Sequence, residues 1–514
     1  MMSLHRLFLC AALITFGVAS LGAAAEETAA DADAKALNSE QPKRSITEGV
    51  VTIAGEEVVY AATAGKVIQR GDDDDEKAEV FFVAYTRGGL HEKTGTPDYD
   101  PSRPITFCFN GGPGSSSVWL HLGMMGPQRV RLPDDASHPA PPFTTVENPF
   151  SLLDVTDIVM IDPVSTGFSR PAEDEKKGQF HGIEEDVKSV GRFIHDYVSE
   201  FGRWGSPKFV LGESYGGIRS AGLARELQDR YRMYLNGVVL VSAVLDFSTL
   251  RFNQNNDLPF VLFLPAYTAT AWRHKALSDD LLAKSLEDVV AEAEAFALGP
   301  YADALLRGYA MEKGARRKVT KEMSRLTGLS VDYLEGANLR VEMWEFSKEL
   351  LRDRGQIIGR FDSRYVGASP EKNGESMEYD ASGAAFSGIF AGALNGYLRE
   401  VLAYDEPRVY EISGSVRPWN YKPYENRYAT VADRLAMAMT KNPHLQVFAA
   451  CGYYDLATPA FAMEYTRDHA LLSDDLQKRF HMGYYEGGHM MYVHEPSLKK
   501  LRKDLLEFYK AATP

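Results

Sequence analysis

The sequence predicts an α/β protein with a mostly parallel central sheet that is covered by helices on both faces. Apolar runs of strand length recur along the chain, as they do in strands buried on both faces, and helix-like stretches lie between them. The runs are "PITFCFN", "DIVMIDP", "KFVLGES", "LNGVVLVSAVLD", "LQVFAACG" and "KRFHMGYYE". Two β-rich segments precede them, "GVVTIAGEEVVYAATAGKVIQ" and "AEVFFVAYTR", and predict hairpins at one edge of the sheet.

A long block between the predicted strands "LNGVVLVSAVLD" and "LQVFAACG" has a different sequence pattern. Residues 251–430 contain stretches that are helical by periodicity and composition, such as "SDDLLAKSLEDVVAEAEAFALGPYADALLRGY". We expect this block to be a helical insertion that caps the carboxyl edge of the sheet, where the sites of α/β proteins lie. The core then comprises residues 47–250 and 431–514.

The amino terminus resembles an export signal. Residues 1–25 combine a basic start, an apolar stretch and "AAA" before Glu26, which is a typical cleavage site. An uncleaved membrane anchor is the alternative, but the stretch is marginal in length and ends in small residues. We expect a cleaved signal, a disordered tether over residues 26–46, and a periplasmic or secreted protein without stable membrane insertion.

Charge and acidic clusters exclude some classes of partner. The chain has 56 basic and 71 acidic residues, and this balance disfavours nucleic acid as a ligand. The acidic run "GDDDDEK", residues 71–77, lacks the spacing of a calcium loop and lies between two predicted strands, so we expect a solvated turn. The sequence suggests no metal site and does not predict the oligomeric state.

Cys108 and Cys451 remain once the signal is removed, and they could form one disulfide in an exported protein. Both lie in predicted buried strands, which favours unpaired thiols.

The segment "GESYG", residues 212–216, has the G-x-S-x-G pattern of a nucleophile elbow. It follows a predicted strand and precedes a helix-like stretch. A sharp turn at that point needs residues without side chains, and it presents the Ser214 hydroxyl above the sheet. A glycine-containing loop with an ordinary serine is the alternative, and the flanking strand and helix make it less favourable.

An acid and a base follow Ser214 in the chain order that α/β-hydrolases use, serine, acid, histidine. Asp455 lies in "CGYYDLATP" and His489 in "YEGGHMMY", each in a loop after a predicted strand. Parallel strands bring these loops to the same edge of the sheet. His481 lies inside a strand and His494 lies beyond the glycine turn, so His489 is the preferred base.

The segment "FNGGPGSSS", residues 109–117, predicts an oxyanion hole. Its glycines expose backbone N–H groups directly after a strand. We assign the N–H groups of Gly112 and Tyr215 as the donors. A phosphate-binding loop is a poor alternative, because no G-K-[ST] sequence is present.

These segments together resemble the serine carboxypeptidase family, here a bacterial-type member. The motifs "NGGPGSSS", "ENPFSLLDVTDIVMIDPVSTGFSR", "FVLGESYGG", "GYYDLATP" and "GGHM" occur in the family's order over roughly residues 50–250 and 430–500. The resemblance implies an α/β-hydrolase fold with a helical insertion. It also implies removal of single residues from the carboxyl terminus of peptides, without a cofactor, by a triad of Ser214, Asp455 and His489.

The resemblance also gives a role to Asn110 and Glu213, whose counterparts in the family bind the terminal carboxylate of the substrate. A protonated Glu213 can donate a hydrogen bond to that carboxylate, whereas a charged one repels it. A buried structural acid at a tight turn is the alternative for Glu213.

Three positions depart from the family pattern. Cys108 stands where tryptophan is usual, and Ser115 replaces the cysteine of a family disulfide. Met124 stands where the family often has a second acid that partners the elbow glutamate. We expect this missing carboxyl to lower the pKa of Glu213 more than burial raises it, because a glycine-rich edge should stay partly hydrated.

The predicted function is therefore that of an exported serine carboxypeptidase acting on peptides. An esterase or acyltransferase with the same triad is the first alternative, and a non-catalytic binding protein with a relic site is the second. The residues do not indicate which side chains are preferred at the cleaved bond.

Overall fold

The computed structural model describes residues 43–71, 74–471 and 473–513. The predicted signal, residues 1–25, and the tether as far as residue 42 lie outside this range. The first strand begins at Ser45, inside the span that we assigned to the tether.

A single large sheet organises the chain from Arg44 onward. Its main strands are β1 Ser45–Ile53, β2 Glu56–Arg70, β3 Glu76–Arg87, β4 Ile105–Phe109, β5 Asp157–Ile161, β6 Lys208–Glu213, β7 Gly237–Val241, β8 Gln446–Gly452 and β9 Phe480–Tyr485. Their order in the sheet is β1-β2-β3-β5-β4-β6-β7-β8-β9, and a two-residue strand, Arg170–Pro171, pairs with β3.

Strand direction follows the sequence prediction. Strands β1, β2 and β3 pair antiparallel at one edge, and β3 pairs antiparallel with β5. From β5 to β9 every neighbouring pair is parallel. The predicted hairpins and buried strands are therefore confirmed, and the described part of the acidic segment 71–77 joins β2 to β3.

Helices cover both faces of the sheet, as predicted. The main ones are α1 Ile183–Glu200, α2 Gly216–Tyr231, α3 Leu258–Arg273, α4 Leu286–Phe296, α5 Lys313–Thr327, α6 Ala381–Gly396, α7 Ala432–Lys441, α8 Ala460–Ala470 and α9 Glu495–Ala512. Side chains of α1, α2 and α7 share one hydrophobic cluster with Phe107 and Phe109 of β4. Those of α6 and α9 share the opposite cluster with Cys108, because successive strand residues face opposite sides.

Shorter elements complete the described chain. The two-residue strands Gln128–Arg129 and Val146–Glu147 pair, and so do Gln356–Ile358 and Val366–Ala368. Short helical segments occupy Val118–Leu120, His121–Met125, Lys177–Phe180, Phe247–Thr249, Asp279–Leu282, Ala297–Tyr301, Ala302–Arg307, Gly308–Ala310, Val331–Gly336, Met343–Glu349, Arg352–Arg354, Tyr397–Val401, Lys422–Tyr424, Asp474–Lys478 and Met491–Val493.

The block 251–430 contributes mainly to two hydrophobic clusters, with a few side chains in two others. Its first part, from Phe260 to Leu351, forms a cluster of its own that also takes in Leu456 and Phe461. Its second part, from Ala385 to Tyr410, packs with Val83 and Tyr85 of β3 on the main sheet. The block also contains the hairpin of Gln356–Ile358 and Val366–Ala368, which the sequence analysis did not anticipate.

Cys108 and Cys451, the cysteines within the described ranges, are buried and free, as their positions in strands predicted. Within the described ranges, no helix is both long enough and apolar enough to cross a bilayer.

Candidate active site

Ser214 lies in a strained turn between β6 and α2. Its φ of 61° is in the left-handed region, which residues other than glycine seldom adopt. Its N–H donates to the Val241 carbonyl at 3.0 Å, and its own carbonyl accepts from Gly217 at 2.9 Å. A Cβ on Gly212 would lie 2.2 Å from the Gly216 carbonyl oxygen, so the turn closes only around a glycine there. These features are those of a nucleophile elbow.

Asp455 and His489 meet at the same edge of the sheet, each in the loop after a parallel strand. The His489 Nδ1 atom lies 2.9 Å from the Asp455 Oδ2 atom. The other carboxylate oxygen of Asp455, Oδ1, accepts from the backbone N–H groups of Ala457 at 2.7 Å and Thr458 at 3.0 Å. The carboxylate is therefore oriented toward the imidazole by its own loop.

The acid and the base are shielded from water. Asp455 is 0 % exposed and His489 is 3 % exposed. Burial lowers the pKa of His489, but the charge and hydrogen bond of Asp455 raise it by more. The pKa therefore lies above its usual value. The pair therefore provides an oriented proton acceptor that becomes neutral as the pH rises through this pKa.

Ser214 and His489 line one cavity of about 280 Å³, together with Asn110, Gly112 and Glu213. Much of the remaining wall comes from the block 251–430, through Arg360, Phe361, Gly383, Phe386, Ser387 and Ser413. A larger cleft of about 620 Å³ lies along β9 and α9 and contains none of the predicted site residues. The structure thus brings the core loops and the insertion together around the serine.

The glycine loop after β4 lies directly against the elbow. A Cβ on Gly111 would be 2.4 Å from the Tyr215 nitrogen, and Gly112 has a φ of 106°. The buried Arg219 fixes the loop by donating to the Asn110 carbonyl at 2.6 Å. Among the described residues, the N–H groups of Gly112 and Tyr215 donate to no backbone carbonyl in the hydrogen bonds of turns and loops. Both predicted oxyanion donors thus belong to loops that meet at the cavity.

Glu213 is 3 % exposed and is held by a residue that the sequence analysis missed. The Tyr492 hydroxyl donates to Glu213 Oε2 at 2.5 Å. Burial raises the pKa of Glu213 to about 7, although the charge of His489 and the Tyr492 hydrogen bond oppose this shift. Our expectation of a lowered pKa for Glu213 is therefore wrong, because the carboxyl is buried and burial raises its pKa.

Gly123 leaves room for the tyrosine that partners Glu213. A Cβ on Gly123 would lie 2.3 Å from the Tyr492 ring, so only a glycine leaves space for that ring. The neighbouring Met124 is buried in the apolar cluster under the sheet. The sequence signal was the closeness of Tyr492 to His489, but no motif linked it to Glu213.

Asn110 has an unused donor in the cavity. Its Oδ1 atom accepts from the Leu120 N–H at 3.1 Å, and this bond sets the orientation of the amide. Among the described residues the buried Nδ2 group makes no well-formed hydrogen bond, although the Asn110 side chain lies close enough to Glu213 to lower the pKa of that carboxyl. Asn110 and Glu213 therefore both line the cavity, and each can donate a hydrogen bond while Glu213 is protonated.

The insertion fastens the loops of the acid and the base, and no sequence motif predicted this. The His489 N–H donates to the Phe361 carbonyl at 2.5 Å, and the Gly488 N–H donates to Asp362 Oδ2 at 3.1 Å. The Leu456 N–H donates to the Arg360 carbonyl at 3.1 Å. A single turn of the insertion thus braces both loops.

The parallel sheet, the elbow at the end of β6 and the loops at its carboxyl edge define an α/β-hydrolase fold. The sequence model of the family described as serine carboxypeptidase matches residues 73–336, about half of the chain. This chain belongs to the serine carboxypeptidase family.

Individual relatives match shorter stretches. The pheromone-processing carboxypeptidase KEX1 of Saccharomyces cerevisiae is 32 % identical over 165 residues, which cover 30 % of this chain and 20 % of that protein. The serine-type carboxypeptidase F of Aspergillus niger is 32 % identical over 119 residues, 23 % of this chain and 20 % of that protein. The serine carboxypeptidase-like 20 of Arabidopsis thaliana is 31 % identical over 131 residues, 25 % of each. The matches thus span a fifth to a quarter of these relatives.

Solved structures resemble the chain only distantly. The proline iminopeptidase of Mycobacterium smegmatis aligns with a TM-score of 0.36 and 13 % identity over 88 % of this chain and 98 % of that one. A monoglyceride lipase variant of Saccharomyces cerevisiae aligns with a TM-score of 0.36 and 11 % identity over 87 % and 96 %.

Proposed function

We propose that the protein is an exported serine carboxypeptidase that releases carboxyl-terminal residues from peptides. One observation carries the proposal: the strained Ser214 shares a cavity with His489, whose Nδ1 atom lies 2.9 Å from Asp455. A nucleophile, a base and an orienting acid are the parts that covalent acyl transfer needs. Membership in the serine carboxypeptidase family supports peptides as substrates.

In the proposed reaction, the Ser214 oxygen attacks the carbonyl carbon of the last peptide bond while His489 accepts the hydroxyl proton. The tetrahedral intermediate then collapses, the C–N bond breaks, and His489 gives the proton to the leaving amine. Water repeats the sequence on the acyl-enzyme and frees the shortened peptide. Asp455 holds the imidazole in one tautomer and stabilises its charged form throughout.

The negative oxygen of each intermediate would be stabilised by the N–H groups of Gly112 and Tyr215. The close approach of the glycine loop to the elbow supports this assignment, because both donors belong to segments that meet at the cavity. Losing one donor of this kind typically costs about 10²–10³ in kcat.

We assign recognition of the terminal carboxylate to Asn110 and Glu213. The unpartnered Nδ2 group of Asn110 can donate to one carboxylate oxygen. Burial raises the pKa of Glu213 to about 7, so below that pH it is neutral and can donate to the other oxygen. A requirement for this free carboxylate makes the enzyme an exopeptidase.

Export belongs to the same proposal and depends on residues 1–25, which lie outside the described part of the chain. Expression of the full sequence in a bacterial host tests it, with amino-terminal sequencing of the protein recovered from the periplasm. We expect a chain that begins near Glu26, and an intact amino terminus in the cytoplasm would contradict it.

Matched substrates test the catalytic proposal. N-blocked dipeptides with a free carboxylate, with a terminal amide and with a terminal methyl ester would be incubated with the protein, and the released groups quantified. We expect rapid cleavage of the free acids and slow cleavage of the amides. Rapid ester cleavage with no release from the acids would favour the esterase alternative, and no turnover of any substrate would favour the binding-protein alternative.

A further inference from the structure

Arg360 brings a guanidinium group into the wall of the active-site cavity. It follows the short strand Gln356–Ile358 and lines the same cavity as Ser214 and His489. Its backbone N–H donates to Asp380 Oδ1 at 2.9 Å, and its carbonyl accepts from Leu456 in the loop of Asp455. The backbone of Arg360 is thus fixed between the start of α6 and the acid of the triad.

Two aromatic rings hold the side chain. The guanidinium carbon lies 4.9 Å from the centre of the Phe361 ring and 5.4 Å from that of the Trp344 ring. The Phe361 ring in turn lies 5.2 Å from the His489 ring. Such cation–π contacts use the face of the guanidinium and leave its in-plane N–H donors available.

The charge of Arg360 lacks a close counterion. In the described part of the chain, no carboxylate lies within 4.0 Å of it, and its buried Nε group has no hydrogen-bond partner. The carboxylates of Asp380 and Asp455 act on it electrostatically from farther away and oppose the effect of burial on its pKa. Asp380 Oδ1 already accepts from the start of α6, and Asp455 is paired with His489. Among the described residues, the buried Oδ2 atom of Asp380 has no hydrogen-bond partner, and it forms no ion pair with Arg360 within 4.0 Å.

Burial adds to this imbalance. It lowers the pKa of the Arg360 guanidinium, although the group stays charged at any physiological pH. Arg360 is half-buried and lines the cavity, so a bound anion can reach its charge and offset the cost of its partial burial. While Glu213 is neutral, Arg360 adds a positive charge to the cavity wall that no neutral Glu213 carboxyl offsets.

We propose that Arg360 binds a carboxylate of the substrate peptide and so gives the enzyme a preference for acidic peptides. The inference rests on the proposed function, because it assumes a peptide in this cavity. Asn110 and Glu213 are already assigned to the terminal carboxylate, so the expected source is a glutamate or aspartate side chain beside the cleaved bond. A planar guanidinium with parallel N–H groups matches a carboxylate well.

Isosteric substrates isolate the carboxylate. N-blocked dipeptides would be compared as Glu and Gln pairs, with the variable residue either before or after the cleaved bond. At one of these positions we expect kcat/KM to be roughly 10- to 100-fold higher for Glu, the range typical of a charge-assisted hydrogen bond. Arg360→Met, which keeps the length of the side chain and removes its charge, should bring this ratio to about one.

Two further variants serve as controls. Arg360→Lys keeps the charge and should retain part of the preference even if Arg360→Met folds poorly. Arg399→Met removes an exposed arginine of the same insertion and should leave the ratio unchanged. A Glu:Gln ratio that is the same in the wild type and in both Arg360 variants overturns the side-chain assignment.

A second arm identifies the source of the carboxylate. If Arg360→Met instead lowers activity on all free-acid dipeptides and spares their amides, Arg360 binds the terminal carboxylate. If neither arm responds to Arg360→Met, the proposal is wrong.

Binding to the inactive Ser214→Ala variant separates this proposal from the proposed function. Calorimetry with N-acetyl dipeptide acids measures affinity without turnover. Tighter binding of acidic dipeptides that disappears with Arg360→Met supports the inference even if the wild type releases no residue. Turnover in the wild type without any effect of Arg360 on binding or rate supports the function alone.

Discussion

Asp455 is the most constrained side chain of the site. Besides its contact with His489, it accepts hydrogen bonds from two backbone N–H groups, and the Thr458 hydroxyl lies 2.8 Å from its Oδ2 atom. These donors orient the carboxylate, so it can accept a hydrogen bond from the Nδ1–H group of His489 and leave Nε2 free to act as the base.

Asp455→Asn should therefore impair catalysis without unfolding the protein. The asparagine amide can donate to Nδ1 and so stabilise the wrong tautomer of His489. We expect kcat to fall by about 10⁴, the loss known for the same change in another serine triad. Steady-state kinetics checks this, with Asp246→Asn as control, because that residue caps a short helix away from the cavity. A loss below tenfold would contradict the assigned role.

Glu213 determines a pH dependence whose sign follows from its environment. Below a pKa of about 7 it is neutral and can donate to the substrate carboxylate, and above it the two charges repel each other. His489 acts in the opposite sense, because it must lose its proton to serve as the base. Free-acid peptides should thus show a rise governed by His489 and a decline near pH 7 governed by Glu213.

The matching measurement is kcat/KM against pH for an acid substrate and its amide. We expect the alkaline decline only with the acid, because the amide carries no charge for Glu213 to repel. Glu213→Gln should remove the decline. Superimposable kcat/KM profiles for the two substrates in the wild type would show that Glu213 does not bind the carboxylate.

Site residues that lie in motifs can be predicted from the sequence, whereas residues that reach the site only through tertiary contacts cannot. Ser214, Asp455 and His489 could be proposed because a known chain order relates them. Tyr492 could not be assigned as the partner of Glu213, since that contact depends on the space above Gly123.

Among the elements, the turn between the two short strands of the insertion connects most directly to the site. Asp362 is 0 % exposed, forms a 2.7 Å ion pair with Arg364, and accepts from the Gly488 N–H. The buried pair therefore joins the insertion to the loop of His489.

Asp362→Ala should destabilise the protein and slow it. The change leaves Arg364 buried without a partner and frees the Gly488 N–H, so we expect unfolding to become easier by about 3–5 kcal/mol. Urea unfolding measures this, with the double variant Asp362→Leu, Arg364→Leu as the comparison. The double variant should be less destabilised, because it leaves no unpaired charge. A single variant within 1 kcal/mol of the wild type would contradict this role for the pair.

The core elements were predictable and the insertion was only partly so. Strands such as β4 and β6 are continuous apolar runs, whose burial on both faces is read directly from composition. The hairpin around Arg360 has no such signature, because its position depends on contacts with the loops of Asp455 and His489.

On the scale of the whole molecule, no disulfide joins the described residues. Cys108 lies in the cluster on one face of the sheet and Cys451 in the cluster on the other. Burial raises the pKa of both thiols, so both are protonated and unreactive at neutral pH.

Titration with Ellman's reagent checks this in a chain that begins after residue 25, which removes Cys10. We expect no reaction in the native protein, reaction of both thiols after denaturation, and the same Tm with and without a reductant. A Tm that falls when reductant is added would reveal a disulfide.

The central claim is that Ser214 removes residues one at a time from the carboxyl end of a peptide. Mass spectrometry of a peptide of about ten residues, followed over time with wild type and Ser214→Ala, tests it most directly. Because the insertion lines the cavity and we assign Asn110 and Glu213 to the terminal carboxylate, we expect the wild type to produce a ladder shortened only from the carboxyl end. The variant should leave the peptide intact. Early internal fragments, or the same ladder from Ser214→Ala, would contradict the claim.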